Sequence, residues 1–159
     1  MRIGYGFDAH RFGEGRKLVL GGVHIDFPTG LEGHSDADVL THARIDALLG
    51  AASLGDIGMH FPDTDPTYRD ASSIHLLETV SKAVDALGFV IENIDTTVFA
   101  QVPKIGPYRA SMVENLARAA SIDADLVNVK ATTTEGLGFI GRVEGIAAAA
   151  VVLLKEKPA

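Results

Sequence analysis

Residues 36–53, DADVLTHARIDALLGAAS, return apolar side chains at helical spacing, with Val39, Leu40, Ala43, Ala47 and Leu48 on one face and Ser35 or Asp36 available as N-cap. The stretch predicts a helix. Upstream, residues 2–11 place Ile3, Tyr5 and Phe7 on alternate positions and read as a strand, and residues 17–20 and 23–27 flank Gly21-Gly22 as a tight hairpin. Downstream, residues 55–70 carry Gly, Asp and Pro in quick succession, so the helix cannot continue, and a loop this long reads as a substrate segment. Ile74, Leu77, Val80, Val84 and Leu87 predict a second helix closed by Gly88, and residues 107–121 a third with Pro107 near its first turn. Residues 89–101 and 126–132 read as strands and 136–141 as a glycine-rich loop. Residues 144–154 form a buried element that four consecutive alanines leave open between helix and strand. Strands alternating with helices imply one α/β or α+β sandwich domain over 1–159, a single sheet covered by three helices.

Composition narrows the function. Fourteen Lys and Arg against 21 Asp and Glu give a net charge of −7, which repels phosphate at long range and argues against a nucleic-acid surface. The longest apolar run, residues 145–154, falls short of the roughly 20 residues of a spanning helix, so no membrane segment is expected. The start, MRIGYG, lacks the pattern of a secretory signal, and a cytoplasmic location is expected. With no cysteine, any metal must sit on imidazole and carboxylate. Between residues 36 and 70 every acid is Asp (36, 38, 46, 56, 63, 65 and 70), a bias toward compact ligands and hydroxyl acceptors.

Asp8 and His10, two apart on a strand, leave the same face. With His42 they make a two-His, one-carboxylate set that leaves a position open for substrate, suited to zinc and also to manganese or cobalt. Asp38 and Asp46, four residues either side of His42, are placed to orient its imidazole. By residue type alone, ordinary surface or capping roles outweigh this grouping. His34-Ser35 beside Asp36 reads either as an N-cap box or as backbone N–H groups and a helix dipole facing phosphate, with the cap favoured. Asp56, Gly58, Phe61, Asp63 and Asp65 suit polyol hydroxyls, or equally a loop of Asx turns. KATTTEGLGFIGR at 130–142 suits a diphosphate with Glu135 on a divalent ion, or a Thr-rich strand end followed by a glycine loop. Lys104 by itself is a solvated loop lysine.

Together, the strings GFDAH (6–10), GHSDADV (33–39), LGDIGMHFPDTD (54–65) and VKATTTEGLGFIGR (129–142) closely resemble the 2-C-methyl-D-erythritol 2,4-cyclodiphosphate synthase family of the non-mevalonate isoprenoid pathway. The resemblance runs end to end, in the family's order and spacing. It implies a chorismate-mutase-like or ferredoxin-like two-layer α+β fold assembled as a homotrimer with active sites between subunits. It further implies Asp8, His10 and His42 as zinc ligands, His34 and Thr133 as the residues that stabilise the transition state, and Glu135 as ligand of a second ion, magnesium or manganese, on the diphosphate. For substrate it implies Asp8, Ala9, His10, His34 and Ser35, the loop residues Asp56, Ile57 and Gly58, and Phe61, Pro62, Asp63, Thr64 and Asp65. The cytosine pocket would be Ala100, Gln101, Val102, Pro103, Lys104, Ile105 and Gly106, with Lys104 near the phosphates and Val102, Ile105 and Gly106 acting through backbone. Thr132, Thr133, Thr134, Glu135, Phe139 and Arg142 complete the pattern. Arg142 and Glu144 also resemble residues that line the family trimer's central channel.

The implied activity is that of a phosphorus–oxygen lyase. It converts 4-diphosphocytidyl-2-C-methyl-D-erythritol 2-phosphate to 2-C-methyl-D-erythritol 2,4-cyclodiphosphate and CMP. Two other classes compete: a metal-dependent phosphohydrolase that uses the same Asp-His-His set on water, and a non-catalytic trimeric module that senses a metal or small ligand.

Overall fold

In the computed structural model, which describes residues 1–157, five strands form one mixed sheet. They are β1 (Arg2–Gly13), β4 (Gly30–Leu31), β5 (Phe89–Phe99), β6 (Val127–Thr132) and β7 (Gly145–Glu156), in the order β4-β1-β7-β5-β6. All neighbours pair antiparallel except β5 and β6. β2 (Leu18–Leu20) and β3 (Val23–Ile25) form the separate hairpin, with Gly21 and Gly22 both at positive φ in its turn. The alanine run belongs to β7, which settles the choice that composition leaves open.

Three long helices cover one face: α1 (Val39–Ala52), α3 (Ser73–Ala86) and α4 (Arg109–Ala120). α1 packs on β1 and β7, α3 on α1 and β5, and α4 on α3 and β6. Along β1 the helix-facing positions near α1 are glycines. A Cβ on Gly4 would sit 1.8 Å from the Ala47 carbonyl oxygen, and one on Gly6 would sit 2.0 Å from that of Ala43. The alanines of β7 on the same face serve the same close approach. Among the described residues the opposite face is left uncovered by these three helices and exposes Ile3, Tyr5, Phe7 and Val151.

The helix begins later than Ser35 or Asp36 would start it. Asp38 is the N-cap: Oδ1 accepts from Thr41 N at 3.0 Å and Gly21 N at 2.9 Å, and Oδ2 accepts from Gly22 N at 2.8 Å. One carboxylate thereby ties the hairpin turn to the start of α1. Pro107 lies in a 3-10 turn ahead of α4, and the glycine loop contains a single helical turn, α5 (Gly138–Gly141).

Arg44 is a charged side chain in conflict with its burial. It is fully buried on α1, Nη2 donates to the Asn128 carbonyl at 3.0 Å, and Nε and Nη1 have no partner. Burial pushes the guanidinium down to about 9, against weaker opposing pulls from Asp38 and Asp95, so it is still a cation at neutral pH. A buried charge without a contacting carboxylate costs more than an apolar side chain of like reach, by about 1–4 kcal/mol in comparable swaps. Arg44→Met is therefore expected to raise Tm by several degrees in a thermal melt. A lower Tm would mean that internal water already satisfies the two nitrogens.

Candidate metal centre

Asp8 and His10 leave β1 toward α1, and His42, in the first turn of α1, comes down to meet them. Asp8 Oδ2 lies 2.8 Å from His10 Nε2 and 3.0 Å from His42 Nδ1, and those two nitrogens are 3.2 Å apart. A tetrahedral ion bonded at about 2.0–2.2 Å holds its ligand atoms roughly 3.3–3.6 Å from one another. The three atoms need to part by only a few tenths of an ångström, so the donor set fits. Burial pushes the Asp8 carboxyl up, but hydrogen bonds from His10 and His42 outweigh it and hold it well below the usual carboxylate range. His10 titrates above its ordinary value: burial works against the charged ring, and Asp8 overcomes it. Its Nδ1 stands 2.6 Å from the Glu32 carbonyl. A carbonyl only accepts, so Nδ1 carries a proton, and Nε2, which donates to Asp8 in the metal-free chain, is the nitrogen that would ligate an ion.

A cavity of about 500 Å³ opens over the three ligands. It gathers His34, Ser35, Ile57, Gly58, Phe61, Pro62 and Asp63, as the sequence implies, and adds Asp46 and Tyr68. His34 Nε2 lies 3.2 Å from the Asp65 carbonyl, and Arg16 donates to the carbonyls of Gly33 at 2.9 Å and of Ser35, one on each side of His34. The loop of residues 55–70 has structure of its own. It holds α2 (Ile57–His60) and a 3-10 turn at Pro66–Tyr68, and Phe61 meets Tyr68 edge-on at 5.3 Å.

Some of these residues also hold the chain locally, and the expected partners of His42 change. Asp56 accepts from Met59 N and Asp65 from Thr67 N, both at 2.9 Å, so these carboxylates cap turns. Neither Asp38 nor Asp46 orients His42. Asp38 is spent on its cap, and Asp46 accepts from Ile57 N at 2.8 Å. The hydroxyls of Ser73 and Ser35 take that place, 2.8 and 3.1 Å from His42 Nε2. The N–H groups after Ser35 are not free for phosphate: Asp36 N donates to the Ala71 carbonyl and Ala37 N to Ser35 Oγ. Ala9 turns to the uncovered face, leaving only its backbone at the site. Arg16 and Ser73 carry no sequence signal, since each acts across a tertiary contact far along the chain.

Ala100, Gln101, Thr132, Thr133, Glu135 and Gly136 form a second cluster. Ala100 N donates to the Thr132 carbonyl at 3.0 Å, Gly136 N to Gln101 Oε1 at 3.3 Å, and the Thr133 hydroxyl to Glu135 Oε1 at 3.2 Å. Ala100 and Ile105 are buried, and Glu135 sits at φ 52° in the left-handed region. Among the described residues Glu135 belongs to no group of three or more metal-type ligands. The register aligns Ala9 with Ala147, Ala147 with Phe99, and Phe99 with Thr132. Thr132 is thus level with Ala9, three strands or about 14 Å across the sheet. The metal cavity takes none of residues 100–142. Arg142 pairs with Glu144 at 2.7 Å on the surface.

The chain matches the sequence model of the YgbB family over residues 1–155. It is 58% identical over 155 residues to the 2-C-methyl-D-erythritol 2,4-cyclodiphosphate synthase of Desulfatibacillum aliphaticivorans, covering 98% of this chain and 100% of the other. Identity to the synthase of Geotalea uraniireducens (strain Rf4) is 59% over 157 residues, 99% of this chain and 100% of the other. IspF of Plasmodium falciparum, solved as a CDP complex, matches with a TM-score of 0.87 at 35% identity, over 99% of this chain and 97% of that one.

Proposed function

The chain belongs to the YgbB family, that of the 2-C-methyl-D-erythritol 2,4-cyclodiphosphate synthases, and from that membership we propose how its residues divide the work of releasing CMP and closing the cyclic diphosphate. The observation that carries the reading is the Asp8, His10 and His42 cluster at the floor of a cavity, on a chain matching full-length synthases.

The chemistry is an intramolecular displacement. An oxygen of the substrate's 2-phosphate attacks the β-phosphorus, a new P–O bond forms, and the bond from the β-phosphorus to the oxygen bridging it to the α-phosphorus breaks, so CMP departs with that oxygen and the electron pair. The nucleophile is already anionic and needs no general base. The barrier lies in bringing two anions together and in supporting charge on the leaving phosphate. Asp8, His10 and His42 would hold zinc, or manganese or cobalt, which supplies a Lewis acid and a template for phosphate oxygens. Glu135 would hold magnesium or manganese, which neutralises the diphosphate. His34 lines the cavity between two residues, Gly33 and Ser35, whose carbonyls Arg16 holds, and Thr133 would offer a hydroxyl to the transferring phosphoryl oxygens. Ala100 to Gly106, beside Thr132, would take the cytosine, and the CDP bound by the Plasmodium falciparum relative supports this.

We assign the working unit as a homotrimer with sites between subunits. Supporting this are the uncovered apolar sheet face, a surface that association buries, and the separation of the second cluster from the metal cavity. Incubation of the protein with the cytidylyl diphosphate 2-phosphate, zinc and magnesium is expected to release CMP and the cyclic product in equal amounts, read by phosphorus NMR. Linear phosphates without the cyclic product would identify a phosphohydrolase instead.

A further inference from the structure

His42 faces two ways. Its Nδ1 lies toward Asp8 and His10, and its Nε2 lies 2.8 Å from Ser73 Oγ and 3.1 Å from Ser35 Oγ. A neutral imidazole carries one proton, so ligation through Nδ1 requires that proton on Nε2. In the metal-free chain Asp8 Oδ2, 3.0 Å from Nδ1, accepts a hydrogen bond from that nitrogen, a proton that an ion would replace; on the other side hydroxyls either donate or accept, so the two serines alone leave the Nε2 proton undecided. The decision lies one residue farther out. Ser73 Oγ donates its proton to Asp36 Oδ1, and Asp36 Oδ2 accepts from Ser73 N at 3.0 Å, so the carboxylate grips the fully buried serine at two points. With its proton spent on Asp36, Ser73 turns a lone pair to His42. A lone pair on Nε2 would meet it at 2.8 Å and be repelled, whereas an Nε2–H is bound. We infer that Asp36 and Ser73 are positioning residues that hold His42 in its Nε2–H form and so aim the Nδ1 lone pair at the ion. The inference rests on reading Asp8, His10 and His42 as a metal centre.

The test is zinc affinity, measured by chelator competition on the metal-free protein, for the parent, Asp36→Asn, Ser73→Ala and the double variant. Asn is isosteric with Asp and can still accept from Ser73 N, but its amide donates to Ser73 Oγ. That frees the serine's proton to point at His42 Nε2, which selects the wrong ring form. Asp36→Asn is expected to weaken zinc binding about 10- to 100-fold, the range for outer partners of metal-bound histidine. Ser73→Ala leaves Nε2–H to Ser35 and should weaken it several-fold. In the double variant the Asn has no serine through which to act, so affinity should recover to the Ser73→Ala level. A merely structural role predicts the reverse, with the double variant weakest of the four. Asp36→Asn binding zinc like the parent, or a double variant no tighter than Asp36→Asn, would overturn the inference. If Asp36→Asn does not melt cooperatively, Ser73→Ala decides alone, and parental affinity there overturns it. A parent chain that binds no zinc would instead remove the metal centre itself.

Discussion

His42→Ala is expected to abolish tight zinc binding and to lower turnover about a thousandfold or more, the loss of several kcal/mol of Lewis-acid and template stabilisation. The substitution removes one of two nitrogen donors and leaves Asp8 and His10, too few to hold an ion against solvent. It also leaves the Ser35 hydroxyl without its ring partner beside a small void, which costs about 1–3 kcal/mol for an unsatisfied buried group, while Ser73 keeps its bond to Asp36. Stability and chemistry must therefore be read apart. A cooperative melt of the metal-free variant, lowered by several degrees, would accompany the loss of turnover. Thr133→Ala is the counterpart, because Thr133 lies outside the metal cavity: it should slow turnover and keep its zinc. Metal analysis beside initial rates checks both, and a His42→Ala chain that turns over like the parent would dismiss the ligand set.

The outline of the fold was legible where the period of the pattern and the packing agree. β1 alternates because Ile3, Tyr5 and Phe7 share the uncovered face, and the apolar spacing of α1 and α3 marks the buried helices. Legibility failed where the decisive contact is tertiary. Four alanines in β7 carry no period of their own. Ala148 and Ala150, level with Asp8 and Gly6, are small because α1 presses on the sheet there, the same pressure that demands Gly4 and Gly6 on β1. Ser35 and Asp36 look like better caps than Asp38 until the hairpin turn supplies Gly21 and Gly22 as further donors.

The same division holds at the site. Asp8 and His10 share a strand face by local geometry, His42 completes a two-His, one-carboxylate set by residue type and again by the resemblance, and the structure brings it within hydrogen-bond distance of both. What orients His42 was misread as its helical neighbours Asp38 and Asp46. On a helix such residues share its face, but both carboxylates had nearer backbone donors. Ser73 reaches the ring from another helix, 31 positions along the chain, and no local pattern announces it. On the proposed function the overall charge of −7 reads differently as well: the chain would meet phosphate through cations held by its own carboxylate and imidazoles.

Mixing two inactive chains is expected to restore activity. A cyclic trimer joins unlike surfaces, so each interface would set the metal cavity of one copy against the 100–106 and 132–135 loops of the next. His42→Ala spoils only the cavity half of a site, and Glu135→Gln only the loop half. Each variant alone has one damaged half at every interface. When the two are co-expressed in equal amounts and assemble at random, a site is whole if its cavity comes from the Glu135→Gln chain and its loops from the His42→Ala chain. Each choice has an even chance, so about a quarter of parental turnover should return, with no single chain intact. A site complete within one chain would gain nothing from mixing. The geometry favours recovery: Thr132 lies level with Ala9 across β7 and β5, the metal cavity draws no residue from 100–142, and Ile3, Tyr5, Phe7 and Val151 leave a sheet face for a neighbour to cover. Turnover of the mixture that stays at the level of the separate variants would place the whole reaction on one chain and refute the shared site.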